Sequence, residues 1–315
     1  MKKIVCSLLF CAFVFMVYAA PKPDKAFWEM VFKGVKTRIA LHVVDEDGVA
    51  VSDVNAHFVF SRVEKYDEKN AVTDRDGNCV VENLTCGNSI EVRLSKVGDY
   101  DSSIMLCYIR MGNVHGVKDD KWQPYPTEKT VVLRKIRNPI PMIKCSDVFT
   151  IPTTNKWVGF DFELKDWTAP YGKGRLPDIE AFFTWDGNPP MSSKFVRLDV
   201  RFSGAVSGCY FADKIVESKF NGVYNAVTND CYGVGELAFY SDIREGRHDV
   251  KKFDFSKVLV VRTRCKLDDA GDIVSANYST IRAILVDGGW DGHGEMTLRY
   301  YYNPMSNDTN LEPKR

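Results

Sequence analysis

The sequence predicts a mainly β protein made of two domains, the first a sandwich and the second β-rich and also read as a sandwich. Three observations carry that prediction. Apolar and polar residues alternate over many short runs, the runs are bounded by Gly, Asn and Asp clusters, and helical periodicity is nearly absent. Alternation gives a strand one apolar face, and such strands bury that face only by stacking sheet on sheet.

At the N-terminus, Lys2 and Lys3 precede an uninterrupted apolar run from Ile4 to Val17, and Val17-Tyr18-Ala19 has the small-residue pattern of a cleavage site. Cleavage after Ala19 makes residues 1–19 a signal peptide and the protein an exported one, whether periplasmic, cell-surface or secreted. The run is shorter than the roughly 20 residues of a membrane span. In the lead-in, residues 20–34, Asp24 can cap a short helix through Phe32, with Gly34 as its stop.

The first domain, residues 35–135, opens with Ile39, Leu41 and Val43 on one strand face. Val54, Ala56, Phe58 and Phe60 alternate likewise, then Ile90, Val92 and Leu94, and Val131 to Leu133 closes the region. The basic, proline-marked stretch "RKIRNPIPMIK" (Arg134 to Lys144) contains the joint, residues 136–144. In the second domain, residues 145–305, Val196, Leu198, Val200 and Phe202 alternate with Arg197, Asp199 and Arg201. Val258 to Val261 is an apolar run, followed by Ile281, Ala283 and Leu285 and by Met296, Leu298, Tyr300 and Tyr302. Phe211, Ile215 and Phe220 suggest a short helical turn, and residues 306–315 read as a tail.

Composition bounds the function. The chain has 42 basic and 42 acidic residues, and losing Lys2 and Lys3 leaves it slightly acidic. It carries no broad basic footprint for nucleic acid and no polybasic membrane patch. No second apolar run approaches a membrane span, and oligomeric state is not legible. Seven cysteines follow the leader, at 79, 86, 107, 145, 209, 231 and 265. Without a CxxC spacing they do not suggest a zinc ribbon. They read as buried small hydrophobes with one or two bridges, Cys209 with Cys231 being the first candidate pair; an odd count leaves at least one thiol or an intermolecular bond.

The stretch "AVTDRDGNCVVENL" (Ala71 to Leu84) sets Asp74, Asp76 and Asn78 in alternation, as a calcium loop would. An EF-type loop then needs glycine at its sixth position and glutamate at its twelfth, which here are Cys79 and Thr85. A hairpin turn fits better: Asp74 can accept from a backbone N–H two residues on, and Gly77 supplies the positive φ.

"DEDGVAVSDVNAHFVF", "TDRDGNCVVENLTCG" and "SIEVRLSKVGDY" together resemble the carboxypeptidase regulatory-like domain, a seven-stranded prealbumin-like (Ig-like) β-sandwich. The matching positions are Gly48, Val51, Thr73, Asp74, Gly77, Leu84, Gly87, Gly98 and Tyr100, across Val35 to Leu133. Ala50, Cys79 and the inserted Asp99 depart from the pattern. The resemblance implies a fold and an accessory role, not a reaction. A zinc carboxypeptidase would need H-x-x-E, and none of His42, His57, His115, His248 and His293 has glutamate three residues on. In the second half, "NPIPM", "GFDFELKDWTAPYGKG" and "YYNPMSNDTNLE" resemble segments of secreted bacterial proteins whose role is not established.

Catalytic patterns are sparse. The chain has no G-x-S-x-G elbow, phosphate loop or Rossmann fingerprint. Asp161, Glu163, Asp166, Asp178 and Asp186 could furnish paired carboxylates for glycoside hydrolysis, yet aspartate is also a turn residue and a residue of solvated faces. Asp291, His293 and Glu295 of "WDGHGE" would share a strand face, but the glycines around them argue for a loop. No metal site and no cofactor is assigned.

The leading expectation is an exported, non-catalytic binding protein with a glycan or protein ligand and an accessory sandwich. A glycan-active hydrolase with its carboxylates in the second domain is the rival reading, and a structural cell-surface component the third. The candidate ligand-binding residues are Asp166, Trp167, Tyr171 and Lys173 of "DWTAPYGKG", a loop whose proline and two glycines leave its rings free to face solvent. The alternative is that Trp167 plugs the end of the sandwich.

Overall fold

The computed structural model describes residues 29, 32–62, 64–86, 89–108, 117–187, 194–228, 231–233, 235–244, 248–288 and 293–314. The expected signal peptide and most of the expected lead-in helix fall outside these residues, although Glu29, Phe32 and Lys33 are helical. The fold is mainly β, with 22 strands among the described residues. It divides into two compact units, Met1–Ile136 with Glu217–Lys219, and Arg137–Val216 with Phe220–Arg315.

The first unit has two principal sheets. In one, β1 (Val35–Val44) is the centre, flanked by the antiparallel β4 (Asn78–Thr85). Its other edge is shared by the parallel β9 (Lys121–Trp122), which pairs β8 (Val117–Lys118), and β10 (Thr127–Val132). The other sheet runs β3 (Tyr66–Val72), β2 (Asn55–Ser61), β5 (Ile90–Ser95), β7 (Ser102–Leu106). A small ladder joins β6 (Asp99–Tyr100) to β11 (Arg134–Lys135). The alternating residues of β1, β2 and β5 meet in one core with Val81, Ile104, Trp122 and Val131. Phe58 and Phe60 are fully buried there, so the period-2 pattern has the packing consequence expected of it.

Two motif residues explain the corner between the sheets. Thr73 is buried, donating its hydroxyl to Val51 O (2.8 Å) and accepting from Val54 N (3.0 Å). Asp74 then accepts from Asp76 N (3.0 Å) and Asn78 N (2.8 Å), while Gly77, at φ 72°, closes on Asp74 O. The turn reading stands, but the strands it joins lie in different sheets, because β3 pairs β2 and β4 pairs β1. The same bonding recurs at Asp45–Val49 around Gly48 and at Asp268–Asp272 around Gly271. Here D-x-x-G encodes a local bonding pattern, and packing decides which strands it connects.

The second unit stacks a five-stranded sheet on a six-stranded one. The first runs β12 (Ile143–Thr150), β22 (Gly294–Tyr302), β21 (Ile273–Gly288), β20 (Lys257–Leu267), β17 (Gly208–Asp213). The second runs β14 (Asp166–Trp167), β13 (Trp157–Asp161), β15 (Ile179–Gly187), β16 (Lys194–Phe202), β18 (Glu236–Asp242), β19 (Asp249–Lys251). Between them lies a core that includes Phe160, Phe162, Phe183, Leu198, Val200, Leu259, Leu298, Tyr300 and Tyr302. A smaller cluster packs Leu311 against Val260, Ala276 and Tyr278.

Several expectations are corrected. Residues 306–314 are not a tail: Leu311 and Glu312 are buried, and the Glu312 carboxylate accepts from Arg137 N (2.9 Å) and Asn138 N (2.6 Å). Phe211 lies on β17 rather than in a helical turn. A bulge between Ile281 and Ala283 puts Ile284, not Leu285, beside Ile281 in the core, since one extra residue reverses the alternation beyond it. None of the seven cysteines from Cys79 to Cys265 is in a disulfide. Cys209 is wholly buried in the main core while Cys231 is exposed, so they do not form the expected bridge. Burial pushes the Cys209 thiol up to about 12, which makes it a small core hydrophobe.

Gly77→Ala will destabilise the protein by more than about 2 kcal/mol, because a left-handed backbone alone costs an L-residue about 1–2 and the new Cβ would collide with Val43 O. Asp74→Ala, which removes two hydrogen bonds, will cost about 1–3 kcal/mol. Millimolar calcium will leave the thermal midpoint unchanged in wild type. Scanning calorimetry of the three samples checks all three statements.

Candidate functional site

The densest polar cluster in the second unit is built on Arg264, in β20. A regular strand would point Thr263 and Arg264 to opposite faces. Here β20 is irregular against β21 between Thr263 and Lys266, and Arg264 has φ 54°. Both side chains therefore reach one carboxylate: Thr263 Oγ1 donates to Asp178 Oδ1 (2.7 Å), and Arg264 Nε donates to the same oxygen (3.0 Å).

The guanidinium also donates to Asp178 Oδ2 (2.9 Å), Asp161 Oδ1 (2.8 Å) and Glu163 Oε2 (2.5 Å), and sits over the Tyr302 ring, 5.1 Å from its centroid. Backbone amides supply the remaining donors. Asp161 accepts from the N–H groups of Glu163, Leu164, Arg175 and Leu176, and Asp178 from that of Phe162. Asp178 is 0% exposed and Asp161 2%. Ionised carboxylates endure such burial only when paired and fully hydrogen-bonded.

The two aspartates respond differently to the same surroundings. Burial raises the Asp178 carboxyl above its ordinary value, against the opposing pull of Arg264, the Phe162 amide and Thr263. Burial also pushes Asp161 upward, but the amides of Arg175, Leu164 and Leu176, with Arg264, outweigh it and hold the carboxyl below its usual range. Burial works against the Arg264 cation, yet the Asp178 carboxylate more than compensates and raises its pKa. The cluster clamps the chain from Asp161 to Asp178 onto β20.

Three of the five carboxylates considered for hydrolysis thus converge, but on an arginine. Asp186 pairs with Arg244 at 2.7 Å, and Asp166 is engaged by backbone amides. Asp161 and Asp178 are also sealed from solvent, so neither can pass a proton to a bound sugar. Arg264 itself was not singled out from sequence. Its one signal is the polar stretch Arg262-Thr263-Arg264 directly after the apolar run of β20.

The four candidate binding residues separate. Asp166 faces its own loop, Oδ1 accepting from Trp167 N and Oδ2 from Lys173 N, both at 2.9 Å. Trp167 is 5% exposed, lies edge-on to Phe160 with centroids 5.2 Å apart, and donates its indole N–H to Thr150 O at 2.9 Å. It is the plug, because its amphipathic ring finds both an apolar bed and an acceptor inside. Tyr171 is 37% exposed with Lys156 Nζ 5.8 Å from its ring, and Lys173 is exposed. Of the "WDGHGE" cluster, Asp291 lies outside the described residues, and Glu295 belongs to β22. No group of side chains able to hold a metal ion occurs among the described residues.

No family model matches the chain, and no curated protein does. Among solved structures, it is similar to 3-chlorocatechol 1,2-dioxygenase from Rhodococcus opacus 1CP at 15% identity and TM-score 0.26, over 33% of this chain and 61% of that one. It is also similar to a DUF3823 family protein from Parabacteroides merdae ATCC 43184 at 9% identity and TM-score 0.21, over 88% and 99% of the two chains. A streptococcal ancillary pilin matches at 11% identity and TM-score 0.21, over 89% and 63%. The chain spans less than two thirds of the dioxygenase it matches. At these scores no activity passes from any of them, and the β class rests on the chain's own strands.

Arg264→Leu will destabilise the protein by about 3–5 kcal/mol by removing the cation that pairs with the buried Asp161 and Asp178. Trp167→Ala will cost about 3–5 kcal/mol, whereas Tyr171→Ala will leave the denaturant midpoint nearly unchanged. Asp161 has a lowered pKa, so its contribution is full above the ordinary aspartate value of 3.8 and is lost as pH falls through its lower folded value. Asp161→Asn will accordingly be less stable than wild type at neutral pH, and the gap will close in acid. Urea titrations of both proteins from neutral pH into acid measure that gap.

Proposed function

We propose that this protein is an exported, non-catalytic binding protein, with a glycan ligand first and a protein ligand second. The Asp161–Asp178 loop of the second unit meets the ligand, and the first unit is an accessory sandwich of the carboxypeptidase regulatory-like kind. One observation carries the reading: the acids of this loop are consumed in holding its shape, while Tyr171 stays on its solvent side. A loop held by a buried ion cluster is preorganised, which lowers the entropic cost of binding. The same observation weighs against the hydrolase reading, since general acid and base groups need access to substrate and free lone pairs. Export rests on the leader-like first 19 residues.

A screen of the intact protein against extracellular glycans, run beside an assay for new reducing ends, tests this. Retention on at least one glycan with no new reducing ends is the expected result. Reducing-end release would replace it with the hydrolase reading, and retention on no glycan would remove the glycan ligand.

A further inference from the structure

The chain from Lys156 to Asp178 is neutral in sequence, with four bases (Lys156, Lys165, Lys173, Arg175) and four acids (Asp161, Glu163, Asp166, Asp178). The fold sorts them by sign. Asp161 and Asp178 are buried against backbone amides and Arg264, Glu163 is paired with Arg264, and Asp166 is turned onto the amides of Trp167 and Lys173. Glu163 is itself exposed, but the four bases, all exposed, make no salt bridge among the described residues. Lys173 and Arg175 contribute only their backbone N–H groups to the cluster, which leaves both cationic heads to solvent.

The loop's folding keeps these bases near one another along the chain. Thr168 bridges Gly174, Asp161 pairs with Asp166 across β13 and β14, and Asp166 and Asp161 in turn hold the amides of Lys173 and Arg175. Lys165 is thereby set close to the backbone of Lys173, and Lys156 reaches the exposed ring of Tyr171. Unpaired exposed acids would have cancelled these cations within a Debye length, about 8 Å at physiological salt. Here Glu163 is exposed but paired with Arg264, and Asp161, Asp166 and Asp178 are held by donors of their own.

From this sorting of charge we infer that the loop binds an anionic glycan, a polysaccharide bearing carboxylate or sulfate groups along its chain. A pyranose ring carrying an acidic group has an apolar C–H face and a negative edge. Tyr171 with Lys156 beside it offers the matching pair, an aromatic face and an ammonium. Lys165, Lys173 and Arg175 extend the cationic strip to further acidic residues of a polymer, and the arginine fork can take a carboxylate or sulfate in two hydrogen bonds. The inference rests on the binding reading above and names its ligand class.

The test is affinity electrophoresis and bead retention of the intact protein on polygalacturonate, dextran sulfate, unmodified dextran, single-stranded DNA and poly-glutamate. The variants are Tyr171→Ala and the combined Lys165→Gln, Lys173→Gln, Arg175→Gln. Those side chains make no bond inside the cluster, so thermal midpoints should match wild type and confirm folding. Preferential retention on polygalacturonate or dextran sulfate is expected, the stronger of the two identifying the acidic group. Affinity should fall at least ten-fold in the triple variant, and also as salt rises from about 0.1 to about 1 M, where the Debye length shrinks from about 10 to about 3 Å. Equal retention of wild type and triple variant on unmodified dextran would overturn the anionic ligand while leaving glycan binding standing. DNA or poly-glutamate retained as well as the acidic glycans would overturn the glycan. Retention on none would overturn this inference and the glycan reading together.

Discussion

Arg264 is the constraint on which the second unit is organised. One guanidinium satisfies three carboxylates that come from two ends of a long loop, and it does so from a strand position that has left regular β geometry. Burying Asp161 and Asp178 without it would strand two charges between packed sheets. With it, and with five backbone amides aimed at the same two residues, both ends of the loop are tied by hydrogen bonds. The positive φ of Arg264 is the local strain that this bonding supports.

That arrangement separates two roles that carboxylates in a β-rich protein could take. In a hydrolase the acids must face a cleft and exchange protons. Here Asp161 and Asp178 face inward and hold backbone and Glu163 pairs with Arg264, which leaves four unpaired bases and the Tyr171 ring on the loop's exposed side beside Leu164 and Leu176. Trp167 belongs with the acids, since its indole is spent on Thr150 and Phe160. Which side chains of the loop stay available follows from those its own folding uses up.

A different economy runs through the turns. Asp45, Asp74 and Asp268 each accept the amides two and four residues on, with a left-handed glycine three residues on. Such turns need no tertiary help, which is why D-x-x-G was readable at Asp74 and why the calcium alternative failed on spacing. Their setting was not readable. The turn at Asp268 joins paired strands, whereas the one at Asp74 crosses between sheets.

By itself the sequence determined what depends on near neighbours: the mainly β class, the apolar faces of β1, β2, β5, β16 and β22, and the turn at Asp74. Period-2 alternation and an aspartate's reach to its own backbone are short-range physics, complete within a few residues. Tertiary structure alone decided the bulge that exchanged Leu285 for Ile284, the burial of Trp167, the separation of Cys209 from Cys231, and the docking of Leu311 and Glu312. It also decided that Asp161 and Asp178 of one neutral segment would be buried and Glu163 paired with Arg264, while its four bases stayed exposed. Those three acids depend on Arg264, which lies 86 residues beyond Asp178 in the chain. A charge pairing at that separation leaves no periodic trace, because only the packing of two sheets brings its members together.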